Sequence, residues 1–298
     1  MNNQYLLFSI LLLLILGSCD VYNQDSFQQQ YVLESYLVAG KPLSKVRLST
    51  TLPADEKYTF AKAAVSGAQV EIRLLDDKGD IIDTYTYSEA TPGIYLTNDQ
   101  ATVQPKKKYE LYVTIPNDQN HVLQAQTIVP DTFRTLTVPP DSIVYQSADQ
   151  LSLKSTRSYY PGRQNIFVFN VLAQDAKVEN YTPFYKDITG DDAEKDIADY
   201  QNNQSNIVNE GNYEINGDGT ITLRLPWIGF AFFGRNKIVT NAIDDNVYDF
   251  LRSQSVQTGG STLSPGQIQN VIDHVEGGTG VFGSMATDTV STYLKRPT

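Results

Sequence analysis

Gln69-Val70-Glu71-Ile72-Arg73-Leu74-Leu75-Asp76-Asp77-Lys78-Gly79-Asp80-Ile81-Ile82-Asp83-Thr84-Tyr85-Thr86-Tyr87 is the stretch that decides the fold. Val70, Ile72 and Leu74 alternate with Gln69, Glu71 and Arg73, so an extended strand here has one apolar and one polar face. Asp76-Asp77-Lys78-Gly79 is a turn, and Ile81 to Tyr87 is the returning strand. A period of two broken by a turn is the pattern of a β-hairpin.

The same alternation runs outward on both sides. Tyr31, Leu33, Ser35 and Leu37 share one strand face, and Val32, Glu34, Tyr36 and Val38 the other. Val46 to Thr50 is a second strand, and Leu52 to Val65 reads as an irregular loop. Gly93 to Leu96 is a short strand. Tyr109, Leu111, Val113 and Ile115 alternate with Glu110, Tyr112 and Thr114, and Pro116 to Asn120 turns the chain into His121 to Val129. Seven strands with turns roughly every 8–12 residues predict an immunoglobulin-like β-sandwich. Pro130, Pro139 and Pro140 mark a connector, so a boundary is expected near residue 135.

Residues 136–298 read as a second β-rich domain. Ile166 to Leu172 is a strand buried on nearly both faces. Gly211 to Ile215, Asn216-Gly217-Asp218-Gly219 and Thr220 to Leu225 form a hairpin. Phe230 to Phe233, Gly234-Arg235-Asn236 and Lys237 to Ile243 predict another. One helix is expected near 244–255, capped by Asp244 or Asp245, with Val247, Tyr248, Phe250 and Leu251 at helical spacing. A shorter helix is expected over Pro265 to Asp273, and a last strand around Thr289 to Leu294. The fold class is therefore all-β, with one or two short helices.

The 298 residues carry 23 basic and 34 acidic side chains, a net charge of −11. That balance disfavours nucleic acid, whose capture rests on basic patches. Tyr (19) and Phe (12) far outnumber Met (2), Trp (1) and His (2), as half-buried sheet surfaces favour.

The only cysteine, Cys19, ends the run Leu16-Gly17-Ser18-Cys19. The preceding apolar run, Leu6 to Leu16, is shorter than the about 20 residues that span a bilayer, and has the length of a secretory signal core. The cysteine after Leu-Gly-Ser resembles the lipobox of bacterial lipoproteins. The resemblance implies a signal peptide over 1–18, cleavage before Cys19, and attachment of fatty-acyl chains such as palmitate there. Residues 19–30 are then a lipidated tether, and the protein's first partner is a membrane. With Cys19 lipidated no free thiol is left for a disulfide, thiol catalysis or a thiolate metal site.

Gly67-Ala68-Gln69-Val70-Glu71-Ile72, with Gly93-Ile94-Tyr95 and Tyr109-Glu110-Leu111-Tyr112-Val113, is shared by sandwiches of the carboxypeptidase-regulatory type. Asn246 to Leu251 is followed by Val275-Glu276-Gly277-Gly278-Thr279-Gly280-Val281-Phe282-Gly283. Together these segments resemble a family of Bacteroidota lipoproteins that contain a domain of unknown function and are often encoded beside TonB-dependent receptors. The resemblance spans nearly all of the mature chain. It implies an outer-membrane location, on either face, and a link to nutrient uptake through such a receptor. It carries no catalytic residues.

Gly277 to Gly283 lacks the lysine and the following helix that a phosphate cradle needs, so close backbone packing or a turn is expected. Glu179 to Asp199 holds seven acidic residues and two lysines. A calcium ion takes about 6–8 oxygen ligands, but the spacing of Asp187, Asp191, Asp192, Glu194, Asp196 and Asp199 does not fit an EF-hand, and a solvated loop is expected. His121 and His274 are too few and too far apart in sequence for a zinc cluster, and no Gly-x-Ser-x-Gly elbow accompanies them. No catalytic centre, metal site or cofactor is expected. Leu225-Pro226-Trp227-Ile228-Gly229-Phe230 is the most apolar mature stretch. It reads as core, or, if Trp227 is exposed, Trp227 and Phe230 become the contact for a ligand or partner. The function these features favour is a binding or accessory lipoprotein of an uptake system. A structural or adhesive surface protein and a glycan hydrolase are the alternatives.

Overall fold

Strand alternation in the first half becomes the expected strands: β1 (Tyr31–Val38), β2 (Val46–Thr50), β3 (Gln69–Leu75), β4 (Ile81–Thr91), β5 (Ile94–Leu96), β6 (Lys108–Ile115) and β7 (His121–Ile128). The computed structural model describes residues 27–53, 55–137, 140–148, 150–194, 196–257 and 271–297. Cys19, the signal segment and most of the tether lie outside them, as does most of the helix expected over 265–273. Within the loop expected over 52–65 one helical turn forms, α1 (Phe60–Ala63).

Later strands are β8 (Ser142–Val144), β9 (Ser152–Ser155), β10 (Ile166–Ala173), β11 (Asn202–Gln204), β12 (Tyr213–Ile215), β13 (Ile221–Arg224), β14 (Gly234–Ile243), β15 (Val275–Glu276) and β16 (Thr279–Lys295). The helices there are α2 (Pro183–Thr189), α3 (Ile197–Gln201) and α4 (Asp245–Gln257). The protein is mainly β and sandwich-like. One layer runs β4-β3-β6-β7-β15; the other runs β5-β2-β1-β16-β14-β10-β11. Long strand β4 belongs to both: its first part pairs with β3, and after Tyr87 it pairs with β5 across an irregular register. Leu33, Leu48 and Tyr95 from one layer share a core with Val70, Ile72, Leu111 and Leu123 from the other. A small sheet, β12-β13-β9, stands beside them.

The boundary expected near residue 135 falls in a connector, but the hydrogen-bonded sheet continues across it. β16 lies between β1, to which it is parallel, and β14, to which it is antiparallel. β15 covers the free edge of β7. Both outer edges of the first seven strands are thus closed by the last strands of the chain.

Two expectations in the second half are corrected. Phe230 to Phe233 is not a hairpin arm, because its main chain finds partners in the segment before α2. Thr182 N–H donates to the Ala231 carbonyl at 2.9 Å, and Phe233 N–H to the Asn180 carbonyl at 2.7 Å. The Tyr181 ring stacks on Phe232 at 4.4 Å. Gly234-Arg235-Asn236 is not a turn but the start of β14, paired with Leu294, Tyr293 and Thr292. Nor is the last strand confined to the expected Thr289 to Leu294. The strand itself begins at Thr279 and runs 17 residues. The expected close packing is present: a Cβ at Gly280 would lie 2.0 Å from the Leu33 carbonyl oxygen, and one at Gly277 would lie 2.1 Å from that of Val122.

The helix expected near 244 is α4. Asp244 caps it, its Oδ1 accepting the Val247 N–H at 2.9 Å. That carboxylate is 1% exposed, held where α4 meets β7 and β16. Among the described residues no helix is long and apolar enough to cross a membrane.

Candidate functional site

Pro226 is extended, and Trp227–Gly229 then closes a single 3-10 turn. The turn is pinned from inside. Trp227 is half-buried, its ring edge-on to Tyr145 at 5.8 Å and tilted against Phe230 at 6.3 Å. Phe230 is 0% exposed. A ring without accessible surface cannot touch a partner, so Phe230 is a core residue and not a contact. Trp227 faces the same core. The side chain this turn offers to solvent is Ile228, which is 50% exposed.

Beside the turn lies an open groove of about 490 Å³. Phe169 and Val171 of β10 line its floor, Pro226 and Ile228 form one wall, and Gln204, Ser205 and Asn206 form the other. Asn203 ties the walls together. Its Nδ2 lies 2.7 Å from the Tyr185 hydroxyl, 3.1 Å from the Ile228 carbonyl and 2.9 Å from the Gly229 carbonyl. The Tyr185 hydroxyl, reaching in from α2, donates to the Ile228 carbonyl at 2.9 Å. Burial pushes the Tyr185 pKa up, so the hydroxyl keeps the proton this bond needs. On the rim Gln150 Nε2 donates to the Leu225 carbonyl at 2.8 Å.

Among the described residues, Arg224 is the one charged side chain in this lining, and Glu214 pairs with it at 3.0 Å. The site is therefore an apolar floor between walls of amides and a hydroxyl. Amides both donate and accept, so the groove can match an uncharged polar ligand bearing an apolar group. Trp227 drew attention in the sequence, but the groove is built by its neighbours. Gln201-Asn202-Asn203-Gln204-Ser205-Asn206, six consecutive polar residues without a charge in an otherwise acidic chain, was the available signal.

Asn203→Ala should loosen this wall. It leaves two carbonyls and the Tyr185 hydroxyl short of a donor, at a cost of about 1–3 kcal/mol. Thermal unfolding should show a lower midpoint than the wild type. An unchanged midpoint would mean that Asn203 does not hold the turn.

Other predicted sites are placed as follows. The acidic segment is not a loop: α2, α3 and short 3-10 turns form there, and Asp187, Asp191, Asp192, Glu194 and Asp199 point to solvent. Tyr185 and Thr189 are buried while Phe184 and Ile188 stay exposed, so helical packing by a few residues overrides the polar composition. Among the described residues, no group of three or more His, Cys, Asp or Glu could hold a metal ion. His121 Nε2 donates to the Gly277 carbonyl at 2.6 Å, with its ring 5.1 Å from that of Tyr31. His274 Nε2 contacts Asp249 at 2.9 Å. The contacts described for either histidine include no serine hydroxyl.

The profile of a family described as "Domain of unknown function (DUF4249)" matches residues 19–291, and the chain belongs to that family. No curated protein matches it. Among solved structures, a Salmonella alpha-2-macroglobulin reacted with methylamine is 10% identical, with a TM-score of 0.25 over 90% of this chain and 15% of that one. The three N-terminal domains of the bacteriophage RB49 Highly Immunogenic Outer Capsid protein (Hoc) are 8% identical, with a TM-score of 0.25 over 91% and 71%. TM-scores this low carry no argument about fold or function.

Proposed function

We propose that this member of the family is a lipid-anchored, non-catalytic binding protein of the outer membrane, an accessory to a TonB-dependent uptake system. The groove between β10, β11 and the 226–229 turn carries the binding half of this reading. It is concave, largely preformed, apolar at its base and lined with convergent polar groups, as small binding sites generally are. The anchoring half rests on Cys19, the only cysteine, placed directly after Leu16-Gly17-Ser18. Multiple acyl chains on one residue would hold the protein to a bilayer without a spanning helix.

The test is co-purification from detergent-solubilised outer membranes with the tagged full-length chain. The wild type should partition into the detergent phase and recover a TonB-dependent receptor, identified by mass spectrometry. Cys19→Ser should leave the detergent phase. Detergent partitioning that survives Cys19→Ser would overturn the anchor. A wild type that recovers no such receptor would overturn the accessory role.

A further inference from the structure

We propose that the groove takes an extended, uncharged peptide, whose main chain is read along β11 and whose apolar side chain lies against Pro226 and Ile228. This inference names the ligand class of the binding site above and rests on that reading.

Three observations carry it. First, β11 is the terminal strand of its layer, with β10 on one side and, among the described residues, no strand on the other. Ser205 N–H donates to the Phe169 carbonyl at 2.8 Å, and Asn203 is register partner to Val171. In an antiparallel ladder the residues between such pairs turn their N–H and C=O outward. Gln204 is that residue, so its main chain faces the open edge. Asn203 and Ser205 share a face with Val171 and Phe169, and Gln204 alternates to the opposite face. Gln204 therefore enters the groove lining through its main chain. Edge strands with free main-chain groups recruit extended peptides, and side-chain pockets beside them give selectivity.

Second, the groove offers aliphatic rather than aromatic surface. Phe169 and Tyr185 are buried, and Trp227 is turned toward Tyr145. A flat sugar face finds no exposed ring to stack on. Val171 is as buried as Phe169, so the apolar surface on offer is that of Pro226 and Ile228, both aliphatic.

Third, the lining carries no carboxylate, and its one cation is already paired with Glu214. A lysine in the ligand would meet no counter-charge there. A glutamate would meet the field of a protein with net charge −11.

The experiment uses the full-length protein in detergent and fluorescein-labelled decapeptides of alternating Thr and Leu, read by fluorescence anisotropy. These should bind, and peptides with Lys or Glu in place of Leu should bind at least tenfold more weakly. N-methylation of every second amide should abolish binding in one frame and spare it in the other, because only alternate amides face β11. Ile228→Asp should weaken binding at least tenfold with an unchanged melting midpoint. Equal tolerance of methylation in both frames would overturn strand addition. Binding of maltoheptaose that Ile228→Asp removes, without peptide binding, would overturn the peptide class while leaving the groove a binding site. Absence of both ligands also overturns the peptide class, and the accessory role is then decided by receptor co-purification alone.

Discussion

Gly280→Ala is expected to prevent the protein from accumulating in folded form. Gly280 has φ +119°, and a Cβ there would lie 2.0 Å from the Leu33 carbonyl oxygen and 2.9 Å from the Leu33 nitrogen. Both atoms are main chain of β1, so neither can swing aside as a side chain could. A non-glycine residue in such a conformation costs about 1–3 kcal/mol, and overpacking adds about 1–3 kcal/mol or more. The sum is a large part of the roughly 5–15 kcal/mol that holds a domain folded. β1 and β16 pair over seven residues, from Val32–Thr279 to Val38–Met285, so parting them at Leu33 breaks the seam that joins the two halves of the chain. Gly79→Ala is the control. Gly79 also has positive φ, +92°, but nothing lies within 4 Å of its Cβ position. It should cost only the backbone term and still melt cooperatively. If both variants lose the same stability, the contact with β1 is not what excludes a side chain at Gly280.

That seam shows why part of the fold was legible and part was not. The hairpin of β3 and β4 is local: both arms and the turn lie within one short stretch, and the alternation of Val70, Ile72 and Leu74 reports burial directly. The parallel partnership of β1 with β16 leaves no such trace, since each strand alternates equally well beside any neighbour. Its one sequence signal was the glycine run 277–283, readable as close packing without revealing what is packed against it. β8, β9 and β11 have three or four residues each, too few to display a period. Phe230 to Phe233 misled for the opposite reason: an apolar run beside a glycine looks like a strand and turn, but its partner is the segment before α2. At the site, Trp227 attracted notice through composition, whereas the groove depends on which amides β11 and the 226–229 turn bring together. Asn203 has no distinguishing mark among Asn202, Asn203 and Asn206 until register aligns it with Val171.

Asp244→Asn is expected to stabilise the protein at neutral pH and to flatten its pH dependence. Asp244 sits where β7, β16 and α4 meet. Its Oδ2 hydrogen-bonds the Thr127 hydroxyl, which lies 2.6 Å from the Ser284 hydroxyl, and Ser284 Oγ donates to the Ile128 carbonyl at 3.0 Å. With the carboxyl ionised, two hydroxyl protons must serve these three contacts. A protonated Oδ2 supplies the third proton, donating to Thr127, which donates to Ser284, which donates to Ile128, while Oδ1 still caps α4. The Asp244 pKa is raised from 3.8 to about 6: burial is the main cause, the hydrogen bonds from Thr127 and the Val247 and Ser284 main chain offset part of it, and Asp245 adds to the rise. Tyr36 and Tyr160, nearby, are held neutral by their own burial, and Arg163 neutralises Asp245. Because the folded pKa lies above the unfolded one, the native state holds this proton more tightly. The contribution is complete below the unfolded pKa and is lost as pH rises through about 6. The difference between the limits is about 3 kcal/mol. Asp175 and Asp218, both with lowered pKa, act with the opposite sign, but in more acidic solution. The wild type should therefore gain stability from pH 7 to pH 5. Asparagine reproduces the protonated acid at any pH, its Nδ2 donating to Thr127 and its Oδ1 capping Val247. Urea titrations at pH 5 and pH 7.5 should show the variant more stable than wild type at both, with a gap at pH 5 about half that at pH 7.5, because pH 5 still lies above the unfolded pKa. A variant less stable than wild type at both values would mean that the ionised carboxylate, and not the neutral acid, is what the junction of α4, β7 and β16 is built to hold.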